Sequence, residues 1–221
     1  MLAGQTLVAR DGYEVALFPM PYLYMTQDEG GDYSHKGTYN IDLIGWSLGG
    51  RVYQAPIYAP CTCKLVWKED SYAAGNIRIF QSTREVHTPS GLQYICFYFG
   101  HDSAPPISTI GAVANQGDLI YHTGTYGQVT GDHTHTCMGY GQWVSHSYNI
   151  TTRPPYNHQD FTYRLHYWDA VYVNDTVVYR GFNHDWVTWD EPIPHVTFDN
   201  GNFPWVLYAN KLRNKRSKTI V

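Results

Sequence analysis

The chain places histidines and a carboxylate in an order that suits a metal. His133 and His135 alternate around Thr134 in Thr130-Gly131-Asp132-His133-Thr134-His135. Upstream, His35 and Asp42 flank a glycine in Ser34-His35-Lys36-Gly37-Thr38-Tyr39-Asn40-Ile41-Asp42, and His101 lies between the two groups in Tyr98-Phe99-Gly100-His101. A catalytic zinc ion takes three protein ligands from His, Asp or Glu and keeps a fourth position for water. It lowers the pKa of that water to about 7 and polarises a carbonyl, which is the chemistry of hydrolysis. Side chains two apart on a strand share a face and lie about 7 Å apart along it, so His133 and His135 are expected to point the same way. One can then bind metal while the other handles a proton or a developing oxyanion.

The alternating pair is weak on its own. With 11 histidines in 221 residues, chance gives about half an expected pair of this spacing. The ordered set of five residues is far rarer, and the elements around it are the kind that position a site. Residues 39–44 read as a strand carrying Asp42. Residues 52–58 and 63–67 read as an antiparallel pair around Ala59-Pro60, and 76–81 and 92–99 as two more strands, with a polar turn over 82–90. His101 falls just past the last of these. A short strand over 119–123 leads into a glycine loop, 124–131, where positive φ is cheap, and that loop delivers the His133/His135 strand. Before the site, residues 6–9 and 14–18 are short strand-like pieces, and Gly30-Gly31-Asp32 is a turn signal. Residues 32–146 show no sustained helical period, and no internal repeat is visible. The expected fold class is mainly β: an antiparallel sheet core with the site in a groove on its face. The expected divisions are 1–30, N-terminal strands packing on the core; 31–148, the domain with the site; and 149–221, an aromatic-rich, β-rich extension. That extension begins at a linker, 149–155. It holds a hairpin of 167–173 and 176–180 around Asn174-Asp175 and a last strand over 203–209. It ends in a basic tail, 211–218, read as a solvated end.

Bulk properties exclude several classes. A net charge of −4 argues against a general nucleic-acid binder. Mean hydropathy is −0.40 and no run of 18 apolar residues occurs, so no membrane span is expected. The start, Met1-Leu2-Ala3-Gly4-Gln5-Thr6, lacks the apolar stretch of a secretory signal. Aromatic content of 16%, with 20 Tyr, fits strand cores; it also suits carbohydrate binding or packing into assemblies. Cys61, Cys63, Cys96 and Cys137 read as small buried hydrophobes, with a disulfide from Cys61 or Cys63 to Cys96 left open. Cys137 shares strand parity with the two alternating histidines and could lie near them.

The flanks of these residues carry a resemblance. His35 and Asp42 are followed by Gln54-Ala55-Pro56-Ile57-Tyr58-Ala59-Pro60, Tyr98-Phe99-Gly100-His101 and Gly117-Asp118-Leu119-Ile120. Next comes Gly124-Thr125-Tyr126-Gly127-Gln128-Val129-Thr130-Gly131-Asp132-His133-Thr134-His135. This order resembles the lysostaphin-type zinc endopeptidases over about half the chain, from Asp32 to Thr136. The resemblance implies one zinc ion per chain, held by His35, Asp42 and His135. It implies that His101 and His133 are paired catalytic histidines that orient water and stabilise the tetrahedral intermediate. It implies peptidoglycan peptides as substrate. This chain departs from the family pattern: six residues rather than three separate His35 from Asp42, Thr134 and Thr136 replace a leucine and an aromatic, and Cys63 replaces a turn glycine. D-alanyl-D-alanine metallopeptidases also use a His-x6-Asp pair. They need a downstream Glu-x-x-His, which is not found: Glu191 and His195 are four apart.

The expectation is therefore a hydrolase that cuts stems or cross-bridges of bacterial peptidoglycan. A phage virion or tail-tip lysin, with phage tail proteins as partners, would account for the missing signal peptide. Localisation in a virion or at the cell wall follows. The competing expectation is a catalytically idle tail or wall-binding protein that keeps the fold. Tyr33 and Tyr39 are expected to line the groove or to pack. Asp132 and Asp102 are candidates to orient the histidines.

Overall fold

The computed structural model describes residues 3–9, 11–20, 22–27, 33–35, 40–47, 50–88 and 91–143, and the backbone of 170–173, 176–179 and 196–197. It is built almost wholly from antiparallel strands. These are β1 (Tyr22–Gln27), β2 (Ile41–Ser47), β3 (Gly50–Val52), β4 (Pro56–Tyr58), β5 (Cys63–Glu69), β6 (Ile77–Ser82), β7 (Val86–Thr88) and β8 (Gly91–Gln93). Then come β9 (Ile95–Gly100), β10 (Val113–Ala114), β11 (Leu119–His122), β12 (Thr134–Tyr140), β13 (Ala170–Val173), β14 (Thr176–Tyr179) and β15 (Val196–Thr197). Among the described residues the one helical element is a 3-10 turn, Tyr72–Ala74, capped by Ser71 and closed at Gly75. None is a helix long and apolar enough to cross a membrane.

The main sheet runs β10-β5-β6-β9-β12-β2-β1-β15, with β3 paired to β2. Its centre is buried on both sides, since every residue of β6 and β9 is buried. Continuous apolar runs follow from that placement. On one face Phe80, Phe97, Phe99 and Leu65 pack with Ala16 and Phe18 of the N-terminal segment, Ile57 of β4 and Tyr121 of β11. Phe97 stacks on Phe80 and meets Phe99 edge-on. On the other face Ile77, Ile79, Cys96, Tyr98 and Cys137 form a smaller cluster. Period-two alternation sends Asp42 and His135 to this second face, while Ile41 and Leu43 join the first. One face is thus a sealed core, and the other carries the site.

Two pairings differ from the sequence expectation. Residues 52–58 and 63–67 do not pair with each other: β3 pairs with β2, β4 with β11, and β5 lies between β6 and β10. Ala59-Pro60 is therefore a crossing between sheets, fixed by bonds from Ala59 N to Asp118 O and from Leu17 N to Pro60 O. The connection over 82–90 is not a simple turn, because it holds the hairpin β7–β8. The N-terminal pieces at 6–9 and 14–18 form isolated bridges, Val8 with Glu14 and Val15 with His87, rather than strands. The strand that does enter the main sheet, β1, lies beyond both. The 167–180 hairpin is present as β13–β14. The linker, the strand expected at 203–209 and the basic tail lie outside the described residues.

All four cysteines are buried thiols, and no disulfide forms among them. Burial raises the thiol pKa of Cys61 and Cys63, with a further rise from Glu14 nearby. We expect the native protein to resist a thiol-specific reagent such as DTNB at pH 8. All four thiols should titrate once the chain is unfolded in guanidinium. Rapid native labelling would show this core to be open.

Candidate metal centre and groove

Asp42 and His135 are direct cross-strand partners on β2 and β12. His135 Nδ1 lies 2.9 Å from Asp42 Oδ1. His35 comes from a turn rather than a strand, and it is completely buried. Its Nε2 lies 3.2 Å from the same Asp42 oxygen and 3.0 Å from His135 Nδ1. Three donor atoms therefore form a triangle with edges of 2.9–3.2 Å. A tetrahedral zinc with ligands at 2.0–2.1 Å spans edges of about 3.3 Å, so small outward shifts would seat the ion.

The tautomers sharpen this fit. With the Gln27 amide turned so that its oxygen faces His35, it accepts from His35 Nδ1 at 3.1 Å and from the His35 backbone N–H at 3.2 Å. In the neutral ring, Nε2 then carries a lone pair aimed at the Asp42 carboxylate. Two electron-rich atoms facing each other at this distance are suited to a shared cation. Partners of this kind orient histidine ligands in metal sites generally.

Two more imidazoles close the site. His101 Nδ1 donates to Tyr126 O at 2.9 Å and His133 Nδ1 to Gly131 O at 2.8 Å. Each ring thus leaves Nε2 as an acceptor. His133 Nε2 lies 3.7 Å from Asp42 Oδ1, and the His101 and His133 ring centroids are 4.6 Å apart. The five residues singled out from sequence therefore meet in one place. Asp42, His101, His133 and His135 line a groove of about 720 Å3, together with Tyr33, Arg51 and Tyr98, while His35 lies buried behind it. Tyr39 falls outside the described residues. Cys137 packs with Tyr98 and Ile79 on the site's face of the sheet but does not line the groove.

Electrostatics follow from burial. Desolvation, reinforced by the nearby His133 and His135, holds the His101 pKa down to about 3. Burial likewise lowers His135, against the pull of Asp42. Burial alone would raise Asp42, but the adjoining His135 and His35 outweigh it and keep the carboxyl well below its usual range. At neutral pH the site thus presents one carboxylate with His101 and His135 uncharged.

His101 is held in an unusual backbone state, φ +86°. Its N–H donates to Gly75 O at 2.6 Å and its carbonyl accepts from Tyr126 N at 2.9 Å. A Cβ on Gly124 would fall 2.1 Å from His101 O, and one on Gly75 would fall 2.7 Å from His101 Nδ1. Both positions must be glycine for His101 to sit where it does.

Neither aspartate proposed as an orienter touches a histidine of the triangle. Asp132 accepts from Gln54 N and Thr123 Oγ1, fixing the loop that leads to His133. Asp102 accepts from the backbone N–H and Nδ1 of His122. Sequence reasoning missed Gln27, whose role depends on β1 pairing with β2, and Arg51, whose Nη2 donates to Asp132 O. Thr134 and Thr136, the departures from the family pattern, are fully buried, and their hydroxyls donate to Gly100 O and Tyr98 O on β9. A polar residue is accommodated there because a strand carbonyl accepts its proton. His87 pairs with Asp11, away from the site.

No family model matches the chain. It is 33% identical over 180 residues to Morphogenesis protein 1 of Bacillus phage B103, an alignment covering 81% of this chain and 46% of that protein. The chain therefore spans about half the length of this curated relative. Among solved structures it is similar to a zinc-containing peptidase from Vibrio cholerae, at 18% identity and a TM-score of 0.42, covering 61% of this chain and 43% of that one. It is also similar to the catalytic domain of lysostaphin from Staphylococcus simulans, at 17% identity and a TM-score of 0.39, covering 60% and 86%. Likenesses at this level leave the activity to be argued from the chain's own residues.

Two outcomes follow. Because the folded His101 pKa lies below the unfolded value near 6.5, its neutral form stabilises the fold above that pH, and this stability is lost as pH falls from about 6.5 toward 3. In chelator, denaturant titrations at several pH values should show wild type losing on the order of 1 kcal/mol per pH unit more than His101→Gln across that window. Equal slopes would mean His101 is solvated. Gly124→Ala should displace His101 and so lose the same excess pH dependence. The metal content of Gly124→Ala should stay unchanged.

Proposed function

We propose that this chain is a zinc-dependent endopeptidase that cuts peptide stems or cross-bridges of bacterial peptidoglycan in the service of a phage particle. The observation that carries the reading is the triangle of His35 Nε2, Asp42 Oδ1 and His135 Nδ1, faced by the free Nε2 atoms of His101 and His133 in one groove. The ligand set would be two neutral imidazoles and one carboxylate, with one position left for water. Zinc bound there supplies an activated water at neutral pH and polarises the substrate carbonyl.

The remaining work falls to the protein. His133, its Nδ1–H tied to Gly131 O, keeps Nε2 available beside Asp42 to take a proton from the attacking water and pass it to the leaving amine. His101 is neutral and fixed by Tyr126, so its Nε2 is a hydrogen-bond acceptor that can hold and orient the attacking water. Gln27 holds the His35 ring in the tautomer that directs Nε2 inward. The phage part of the reading draws support from the B103 morphogenesis protein, and partners in a phage tail would follow from it. We place the catalytic unit within residues 31–148, with residues 149–221 as an assembly or wall-binding extension.

The test is peptide release from purified Gram-positive and Gram-negative walls, read by mass spectrometry, with metal content measured in parallel. His135→Ala should lose both zinc and cleavage. His101→Ala should keep zinc at one per chain and lose about 10²- to 10⁴-fold in turnover. Wild-type turnover in His101→Ala would refute its catalytic role. Stoichiometric zinc with no cleavage of any wall would favour the idle structural reading.

A further inference from the structure

Arg51 is the one Lys or Arg among the described residues lining the groove. It sits on β3 opposite Trp46 of β2 and is exposed. Its guanidinium is held on two sides: Nη2 donates to Asp132 O at 2.6 Å, and the Cζ lies 5.0 Å from the centre of the Tyr53 ring. The acceptor is a backbone carbonyl, which carries no formal charge to neutralise it. The Asp132 carboxylate is occupied, taking Gln54 N on one oxygen and Thr123 Oγ1 on the other. No carboxylate among the described residues lies within ion-pair distance of Arg51. The result is an oriented cation with part of its N–H fork unused, set beside the residue that precedes His133.

We propose that Arg51 is a specificity-determining residue that binds a free carboxylate of the substrate peptide. This rests on the endopeptidase reading of the same groove. A guanidinium prefers a carboxylate because its planar fork matches the two oxygens. Anchoring to the carbonyl next to His133 puts that carboxylate within about two to three extended residues of the cleaved bond, at 3.3–3.6 Å per residue. Wall stem peptides carry carboxyl groups near their cross-links, either free or as carboxamides. The free-acid form is the one this groove should select.

The experiment uses pairs of cross-linked stem peptides that differ only in carboxylate against carboxamide. Cleavage is followed with wild type, Arg51→Gln and Arg51→Lys. Binding of the same peptides, fluorescein-labelled, is followed by anisotropy on the full chain carrying His101→Ala, with and without Arg51→Gln. Wild type should favour the free acid about 10- to 100-fold, expressed in KM rather than kcat. Arg51→Gln should abolish the preference, Arg51→Lys should restore part of it, and thermal midpoints should stay level. A merely structural Arg51 would change stability or kcat without touching the acid-to-amide ratio. Cleavage with no acid preference, or a preference that survives Arg51→Gln, overturns the proposal and leaves the endopeptidase reading intact. Arg51-dependent selection of the acid in binding, without cleavage by wild type, upholds Arg51 and removes the endopeptidase. Neither selection nor cleavage overturns both.

Discussion

Two imidazole nitrogens and a carboxylate oxygen within 3.2 Å of one another need a proton or a cation shared among them. Much of the second face of the sheet serves to hold that arrangement. Asp42 and His135 cannot part without β2 slipping against β12, and a one-residue slip would turn either side chain to the opposite, sealed face. β12 is locked from its other side by β9, in register from Tyr140 opposite Ile95 to His135 opposite Gly100. The aromatic packing of Phe80, Phe97 and Phe99 beneath fixes β6 and β9 in turn. The apolar core is therefore what keeps the donors close enough to need a shared proton or cation.

The other three histidines come from irregular segments, and each is tied by a different device. His35 is completely buried and bonded through Gln27. His133 follows a loop that Asp132 clamps to Gln54 and Thr123. His101 carries positive φ, which costs a residue with a Cβ about 1–3 kcal/mol and persists only where the surroundings over-determine it. Two backbone bonds, to Gly75 and Tyr126, provide that determination. Strand positions thus supply the fixed pair of donors. Loop positions supply the third donor and the two groups with free acceptors, where small adjustments during a reaction cost least.

The clustering of the candidate site residues was more legible in the sequence than the connections. His35, Asp42, His101, His133 and His135 could be picked out because residue type, order and spacing all constrain a metal site, and the β class followed from aromatic content and absent helical period. The strand carrying Asp42 and the turn-borne His101 were legible for the same reason. Pairing partners were not. Residues 52–58 and 63–67 look like a hairpin because Ala59-Pro60 lies between them, yet the backbone partners of 56–58 are in β11, more than 60 positions along the chain. Local turn chemistry cannot report a crossover between sheets. Asp132 and Asp102 were plausible orienters by proximity in sequence. The residue that reaches His35 is Gln27 on β1, a strand whose pairing with β2 leaves no local trace.

The charge of the groove's described lining differs from that of the chain. The molecule carries a formal −4, but among the described residues the two aspartates lining the groove are both engaged internally, Asp42 with the histidines and Asp132 with Gln54 and Thr123. Burial keeps His101 and His135 neutral, so the triangle offers a single negative charge to a divalent ion. One carboxylate against a dication would leave a net positive centre, and the guanidinium of Arg51, with no carboxylate partner among the described residues, adds a positive charge to the groove lining. A concave site with low-dielectric walls focuses such a field, drawing in anionic ligands although the whole molecule is acidic. The same field would lower the cost of negative charge on an oxygen brought beside a bound ion. Recognition of an acidic peptide and stabilisation of its reacting carbonyl would then draw on one electrostatic design, set by which carboxylates the fold has already satisfied.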